Sequence, residues 1–281
     1  MQTRSLLLGL IGAGIQGSRA PALHEHEAAA HGMRAIYRLI DLDSLGLDVR
    51  ALPELLTAAQ RLGFDGLNIT HPCKQAVVSL LDDLSDDARA VGAVNTVVLK
   101  DGARIGHNTD VTGFAESFRR ALPDVTRDRV VQLGAGGVGS SVAHAALALG
   151  TGTLTITDAE PARASHLAAA LVARFGAGRA VAARCAGAAL AYADGLINAT
   201  PVGMAQHPGL PLPAALLRAD LWVAEIVYFP LETELLRAAR GRGCRTLDGG
   251  GMAVFQAAGA FRLFTGRAPD AERMLRHFAS L

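Results

Sequence analysis

Between Arg129 and Asp158 the chain carries glycines and an acid at spacings that suit a dinucleotide. An apolar run, Arg129-Val-Val-Gln-Leu133, leads into Gly134-Ala-Gly136-Gly137-Val138-Gly139. An Ala-rich stretch, a second apolar run (Thr153-Leu-Thr-Ile-Thr157) and Asp158 follow. In such a site the first glycine allows a tight turn, the second lets backbone approach a pyrophosphate, and the third lets a helix pack on the strand. The free N–H groups of that helix then face the phosphates. Asp158 lies 19 residues past Gly139, near the spacing of a carboxylate that holds a ribose 2′-OH. A second match, Gly12-Ala-Gly14-Ile-Gln-Gly17, is a decoy. Pro21 follows too closely for a helix already under way at the loop. The stretch His24-Glu-His-Glu27 has metal-ligating side chains, but the two histidines do not share a helix face at that spacing. Cys73, Cys185 and Cys244 show no zinc-type spacing, so no metal site is read.

The elements that must position these groups alternate. Strands are expected at Leu6–Ile11, Ala35–Ile40 and 66–70, and helices at Pro21–His31, Pro53–Leu62 and 75–81. Ser85 is a candidate N-cap. Asp101-Gly102 marks a hairpin between strands at 95–99 and 104–108. A helix at Thr112–Ala121 leads on to strands at 129–133, 153–157, 195–198, 221–227 and 245–248, with helices at 162–175 and 232–242 between them. Helices at 252–265 and 271–278 close the chain. The fold class is therefore α/β. An N-terminal domain with a mostly parallel sheet, 1–110, is joined to a Rossmann-type nucleotide-binding domain, 111–251, and residues 252–281 pack back on the first.

With 281 residues, half of them apolar, and a net charge of +1, the chain has material for two cores and no basic footprint for nucleic acid. No apolar segment is long enough for a membrane span. The unpaired cysteines favour a reducing cytoplasm.

Ordered motifs carry the functional signal. They are Asn68-Ile-Thr70-His-Pro72-Cys-Lys74, Gly92-Ala-Val-Asn95-Thr96, Asn108-Thr-Asp110-x-x-Gly113, Asn198-Ala-Thr200-Pro-Val-Gly-Met204, Tyr228-x-Pro230-x-x-Thr233 and Gly250-Gly-Met252, with Gln256 shortly after. Together they resemble the shikimate/quinate dehydrogenase family over nearly the whole chain. The resemblance implies reversible hydride transfer between a nicotinamide cofactor and a ring hydroxyl of a cyclic hydroxy-carboxylate held in a cleft between the domains. It also reads Ser18-Arg-Ala20-Pro21 as the segment that grips the substrate carboxylate.

Carried over residue by residue, the resemblance makes Lys74 and Asp110 the catalytic pair. Lys74 transfers the hydroxyl proton and Asp110 orients the same hydroxyl. Burial disfavours an ammonium and a neighbouring carboxylate favours it, so the two are treated as coupled. Alone, Asp110 also reads as an N-cap for the following helix. Ser18, Asn68, Thr70, Asn95, Tyr228 and Gln256 match substrate-binding positions. Gly134, Gly136, Gly137, Val138, Gly139, Asp158, Thr200, Met204, Val227 and Gly250 match positions at the cofactor. Two departures stand out. A second carboxylate-gripping hydroxyl is replaced by Ala20, a loss of roughly 1.5–3 kcal/mol if nothing substitutes for it; Arg19 is one candidate substitute. At the adenosine end, Asp158-Ala159-Glu160 stands where NADP-using members place an arginine. That points to NAD over NADP and to the NAD-using quinate/shikimate dehydrogenase branch. The alternatives are an NADP-dependent biosynthetic shikimate dehydrogenase, a paralogue acting on a related cyclic hydroxy or amino acid, and a non-catalytic binding relative. A monomer or homodimer is expected, without nucleic-acid or membrane partners.

Overall fold

Alternating apolar strands and amphipathic helices generate two sheets in the computed structural model, which describes residues 5–281. The chain divides into two units, Met1–Thr112 with Val254–Leu281, and Gly113–Ala253.

The first unit holds β1 (Leu6–Gly12), β2 (Ala35–Asp41), β3 (Gly66–Ile69), β4 (Asp83–Leu84), β5 (Thr96–Lys100) and β6 (Ala103–His107), in the order β2-β1-β3-β5-β6-β4. β1 runs parallel to β2 and β3, and β4 parallel to β6, while β5 is antiparallel to both neighbours. The parallel part follows from the crossover helices Ala20–Ala30 and Leu52–Arg61. The antiparallel part follows from Asp101 and Gly102, whose φ values of 52° and 82° make the left-handed pair a two-residue hairpin demands. Ile11, Leu56, Leu67, Ile69, Val94 and Val97 form the core beneath the sheet.

The second unit holds β7 (Arg129–Leu133), β8 (Thr153–Thr157), β9 (Ala180–Ala182), β10 (Gly195–Asn198), β11 (Trp222–Glu225) and β12 (Arg245–Leu247). All pairs are parallel, in the order β12-β11-β10-β7-β8-β9. This is the doubly wound arrangement. The strand order reverses between β7 and β10, and ligands of such sheets bind outside the carboxyl ends of the strands there.

Three expected elements differ. The helix expected at 75–81 is instead one α-turn, Cys73–Ala76, followed by a 3-10 turn, Val77–Leu80. The Lys74 carbonyl accepts from the Val94 amide (2.8 Å) and so leaves the helical ladder. The helix expected from Thr112 begins at Thr109, because Asn108 Oδ1 accepts the amides of Asp110 (3.1 Å) and Val111 (3.3 Å). Asn108, not Asp110, is therefore the cap. The helix expected from Met252 begins at Gly249, where Asp248 Oδ1 takes the Gly250 amide at 2.9 Å. Capping geometry there overrides the poor helix propensity of three glycines. Among the described residues no helix is long and apolar enough to cross a membrane, and no group of three or more His, Cys, Asp or Glu is placed to hold a metal ion.

Candidate active site

In the first unit, Lys74 stands in the turn after β3 and Asp110 in the first turn of the helix after β6. Lys74 Nζ lies 2.5 Å from Asp110 Oδ2, with side-chain exposures of 14% and 5%. The other oxygen of Asp110 accepts from Asn95 Nδ2 (2.9 Å). Asn95 Nδ2 also reaches Thr109 Oγ1 (2.9 Å) and Gln256 Oε1 (3.4 Å), while its Oδ1 accepts the Thr109 amide (2.8 Å). Asn68, on β3, donates to the Asn95 carbonyl (3.2 Å) and to Thr96 Oγ1 (3.1 Å). Five of the residues singled out from the sequence, Lys74, Asp110, Asn95, Asn68 and Gln256, thus join one hydrogen-bonded network. A largely buried lysine beside a fixed carboxylate can hold a hydroxyl and exchange a proton with it.

The remaining substrate-side candidates are placed differently. Thr70 follows β3 directly, its amide on the Ile11 carbonyl (2.9 Å). The Ser18 hydroxyl accepts the Ala20 amide at 3.3 Å. Tyr228 belongs to the second unit and is 36% exposed. Arg19 is committed elsewhere. Its guanidinium donates through Nη1 to the Phe278 carbonyl (3.2 Å) and lies 4.7 Å over the Phe278 ring.

The decoy loop has an internal explanation. A Cβ on Gly12 would lie 2.3 Å from Thr70 Cγ2, so this glycine seats the turn that precedes Lys74. The loop's donors are already occupied by Asp41. That carboxylate accepts the amides of Gly14 (3.0 Å) and Ile15 (3.2 Å) and the Gln16 side chain (2.9 Å). Burial pushes the Asp41 carboxyl up, but these donors outweigh it and hold it below its usual range. The acid fills the place a phosphate would need.

In the second unit, Gly136, Gly137, Val138 and Gly139 open the helix Gly137–Ala148 directly at the end of β7. Gly134 has a φ of 95°, and a Cβ there would lie 2.6 Å from the Ala199 carbonyl oxygen; one on Gly139 would lie 2.4 Å from the Gly134 oxygen. A Cβ on Gly136 would meet no protein atom within 4 Å, so the protein's own packing does not require a glycine there. The loop, helix N-terminus and switch point together fit a pyrophosphate. Asp158 accepts the Ala135 amide (2.7 Å) with one oxygen and the Glu160 amide (2.9 Å) with the other, and each oxygen keeps a lone pair for a ribose hydroxyl. Glu160 is ion-paired with Arg163 at 2.8 Å. Thr200 and Met204 lie on the turn after β10, and Val227 just after β11. Gly250 lies in the first turn of the helix Gly249–Thr265.

Sequence reasoning missed two supporting residues. Tyr37 Oη donates to Asn68 Oδ1 (2.9 Å) and fixes which way that amide points. Gln132 Nε2 donates to the carbonyls of Gly134 (2.8 Å) and Gly139 (2.9 Å), tying the glycine loop to the strand below it. The available signal was the one amide in the apolar β7. Tyr37, in a strand, carried none.

Two family models match the chain. The shikimate dehydrogenase substrate binding domain covers residues 10–97, and the shikimate 5'-dehydrogenase C-terminal domain covers 249–277. A shikimate dehydrogenase (NADP(+)) of Streptomyces avermitilis is 62% identical, with 100% of this chain and 97% of that protein aligned. A quinate/shikimate dehydrogenase (NAD(+)) of Corynebacterium efficiens is 52% identical, with 100% of both aligned. The structure of quinate dehydrogenase from Corynebacterium glutamicum in complex with NAD matches with a TM-score of 0.91 at 49% identity, covering 99% of each chain.

Proposed function

The chain belongs to the shikimate dehydrogenase family, as an oxidoreductase of the shikimate/quinate dehydrogenase type, and from that premise we propose that it reversibly oxidises a ring hydroxyl of quinate or shikimate to the 3-dehydro ketone with NAD. The observation that carries this reading is the 2.5 Å contact between Lys74 and Asp110, with Asn95 and Gln256 beside it. In the oxidative direction the coupled Lys74–Asp110 pair takes up the proton of the ring hydroxyl, with Lys74 as the transferring group. Asp110, held by Asn95, orients that hydroxyl and neutralises the ammonium that forms. Asn68, Thr70, Asn95 and Gln256 offer amide and hydroxyl groups to the remaining ring hydroxyls, and Ser18 offers its hydroxyl to the carboxylate. The bound nicotinamide supplies the hydride acceptor. Gly134, Gly136, Gly137, Val138 and Gly139 hold its pyrophosphate, and Thr200, Met204, Val227 and Gly250 line the rest of the nucleotide.

Asp158 supports NAD, because a 2′-phosphate beside this carboxylate meets like charge while a free 2′-OH donates to it. The NADP(+) label of the Streptomyces relative supports a second reading, in which Arg163 leaves Glu160 for the phosphate. Both are resolved by assaying purified protein with quinate and with shikimate, each with NAD and with NADP. We expect kcat/KM to favour NAD by about tenfold or more, the size of one like-charge contact. A higher value with NADP overturns the cofactor reading. Absence of turnover in all four mixtures overturns the substrate reading and directs attention to Ala20.

A further inference from the structure

Glu225, the last residue of β11, is fully buried and takes no part in the proposed chemistry. Its Oε1 accepts the Val227 amide (3.1 Å) and Asn198 Nδ2 (2.9 Å). Its Oε2 accepts Asn198 Nδ2 (3.1 Å) and Thr233 Oγ1 (3.0 Å). Burying a carboxylate on neutral donors alone is costly, so its presence at a fully buried position calls for a reason.

What the carboxylate gathers is informative. Asn198, at the end of β10, passes the constraint on. Its Oδ1 accepts the Thr200 amide (3.2 Å) and hydroxyl (2.7 Å), and its Nδ2 also donates to the Val202 carbonyl (3.0 Å). Thr233 caps the helix Glu234–Gly241 through the Leu236 amide. One side chain therefore fixes the turn after β10, the stretch after β11 and the start of the next helix. The first two carry Thr200, Met204 and Val227. The turn after β10 also touches the glycine loop, at Ala199 against Gly134, on the side where the strand order reverses.

We propose that Glu225 is a positioning residue for the nicotinamide nucleotide, clamping the loops after β10 and β11 into one wall beside the glycine loop. The inference rests on the dinucleotide reading of the second unit. Its protonation state enters naturally. Burial pushes the carboxyl up to about 7 although its hydrogen bonds pull it down. The groups facing it are Asn198 from β10, Gly203 from the following turn, the amides of Ile226 and Val227, and Thr233, none of them charged or titratable. When Glu225 is protonated at Oε2, Thr233 Oγ1 is the neighbour able to accept that hydrogen, so the Thr233 hydroxyl must turn its own hydrogen away and the Asn198 contact to the now neutral oxygen weakens.

The test is NAD affinity of the full chain by calorimetry between about pH 6 and 8.5, for wild type, Glu225→Gln and Glu225→Ala. Gln matches the protonated acid in shape and in lacking charge, and it places a donor where the acid carries its hydrogen. Wild-type Kd is expected to weaken threefold to tenfold as pH falls through about 7, Glu225→Gln to stay flat at the weak end, and Glu225→Ala to be weaker still. The KM for the acid is expected to move less than twofold in Glu225→Gln, roughly within the scatter of an uncoupled site. A Glu225→Gln protein with wild-type Kd and wild-type pH dependence overturns the proposal, and so does an acid KM that shifts in step with the NAD Kd. Wild-type protein that binds neither NAD nor NADP overturns the dinucleotide reading instead, which keeps the two failures distinct.

Discussion

Asn95 shows how much of the candidate site rests on single side chains. Its carboxamide contacts Asp110, Thr109 and Gln256 at once, and Asn68 leans on its carbonyl. Removing the proton-transfer group itself should cost most. Lys74→Ala is expected to lower kcat by about 10²–10⁴ while the acid KM changes far less, because general acid–base catalysis acts in the transition state. Steady-state rates decide this, and a variant retaining a wild-type kcat removes Lys74 from the chemistry. Tyr37 acts one step further back. Tyr37→Phe keeps the ring, which stacks on His24 at 5.1 Å between centroids, but frees Asn68 Oδ1. One neutral hydrogen bond is worth about 1 kcal/mol, so the acid KM should rise roughly fivefold with kcat held within about twofold. An unchanged KM would mean that Asn68 is oriented by Asn95 and Thr96 alone. Lys74 and Asp110, 36 residues apart in sequence, were legible because each sits in a distinctive local motif. Tyr37 was not, because a strand tyrosine that meets Asn68 two strands away in the sheet looks like any half-buried aromatic until the register is known.

Elements tell the same story at longer range. The hairpin at Asp101-Gly102, the Ser85 cap and the glycine-led helix after β7 were legible because local backbone conformation dictates the residue types. The strands β4 and β9, of two and three residues, were not, since so short a run carries no periodicity. The shortened helix after Pro72 depends on Val94, a partner remote in sequence. The last helix, Ala271–Ser280, is anchored in part by one buried acid. Glu27 has a side-chain exposure of 0%, and its carboxylate receives Arg273 Nη2 (2.7 Å) and Nε (2.8 Å) and the Asp270 amide (2.8 Å). Burial pushes the Glu27 carboxyl up, but Arg273 and these donors bring it below its usual value, so the acid is charged and needs its cation. Arg273→Ala should destabilise the first unit by about 2–3 kcal/mol, below the cost of a fully dry pair because Arg273 is 29% exposed. Adding Glu27→Gln should recover part of that loss, since it removes a buried charge left with only the Asp270 amide and the His31 ring as partners. A melting temperature within about 1 °C of wild type for the single variant would show the pair to be ornamental.

For the whole molecule, two buried titratable groups oppose each other, one in each unit. His24 is packed against Tyr37, Phe261 and Phe264, and neither ring nitrogen has a hydrogen-bond partner among the described residues. Burial pushes it from 6.5 down to about 4. Between those values the unfolded chain holds a proton that the folded one refuses. Stability from this group is therefore complete above about pH 6.5 and is lost as pH falls towards 4. Glu225 does the reverse. Its carboxyl rises from 4.5 to about 7, so the fold holds a proton the unfolded chain lacks, and its stabilisation is lost as pH climbs through that window. Across the overlap, global melting averages two opposite slopes and hides both, whereas hydrogen exchange resolves them strand by strand. Relative to wild type, and after correction for intrinsic exchange rates, His24→Phe should raise protection of β1 and β2 amides about tenfold more at pH 5 than at pH 7.5. Glu225→Gln should gain protection in β10 and β11 in the opposite sense, more at pH 7.5 than at pH 5. If either variant instead moved both units by the same factor, the chain would be opening as one cooperative body, and the two groups would have to be treated as contributions to a single free energy.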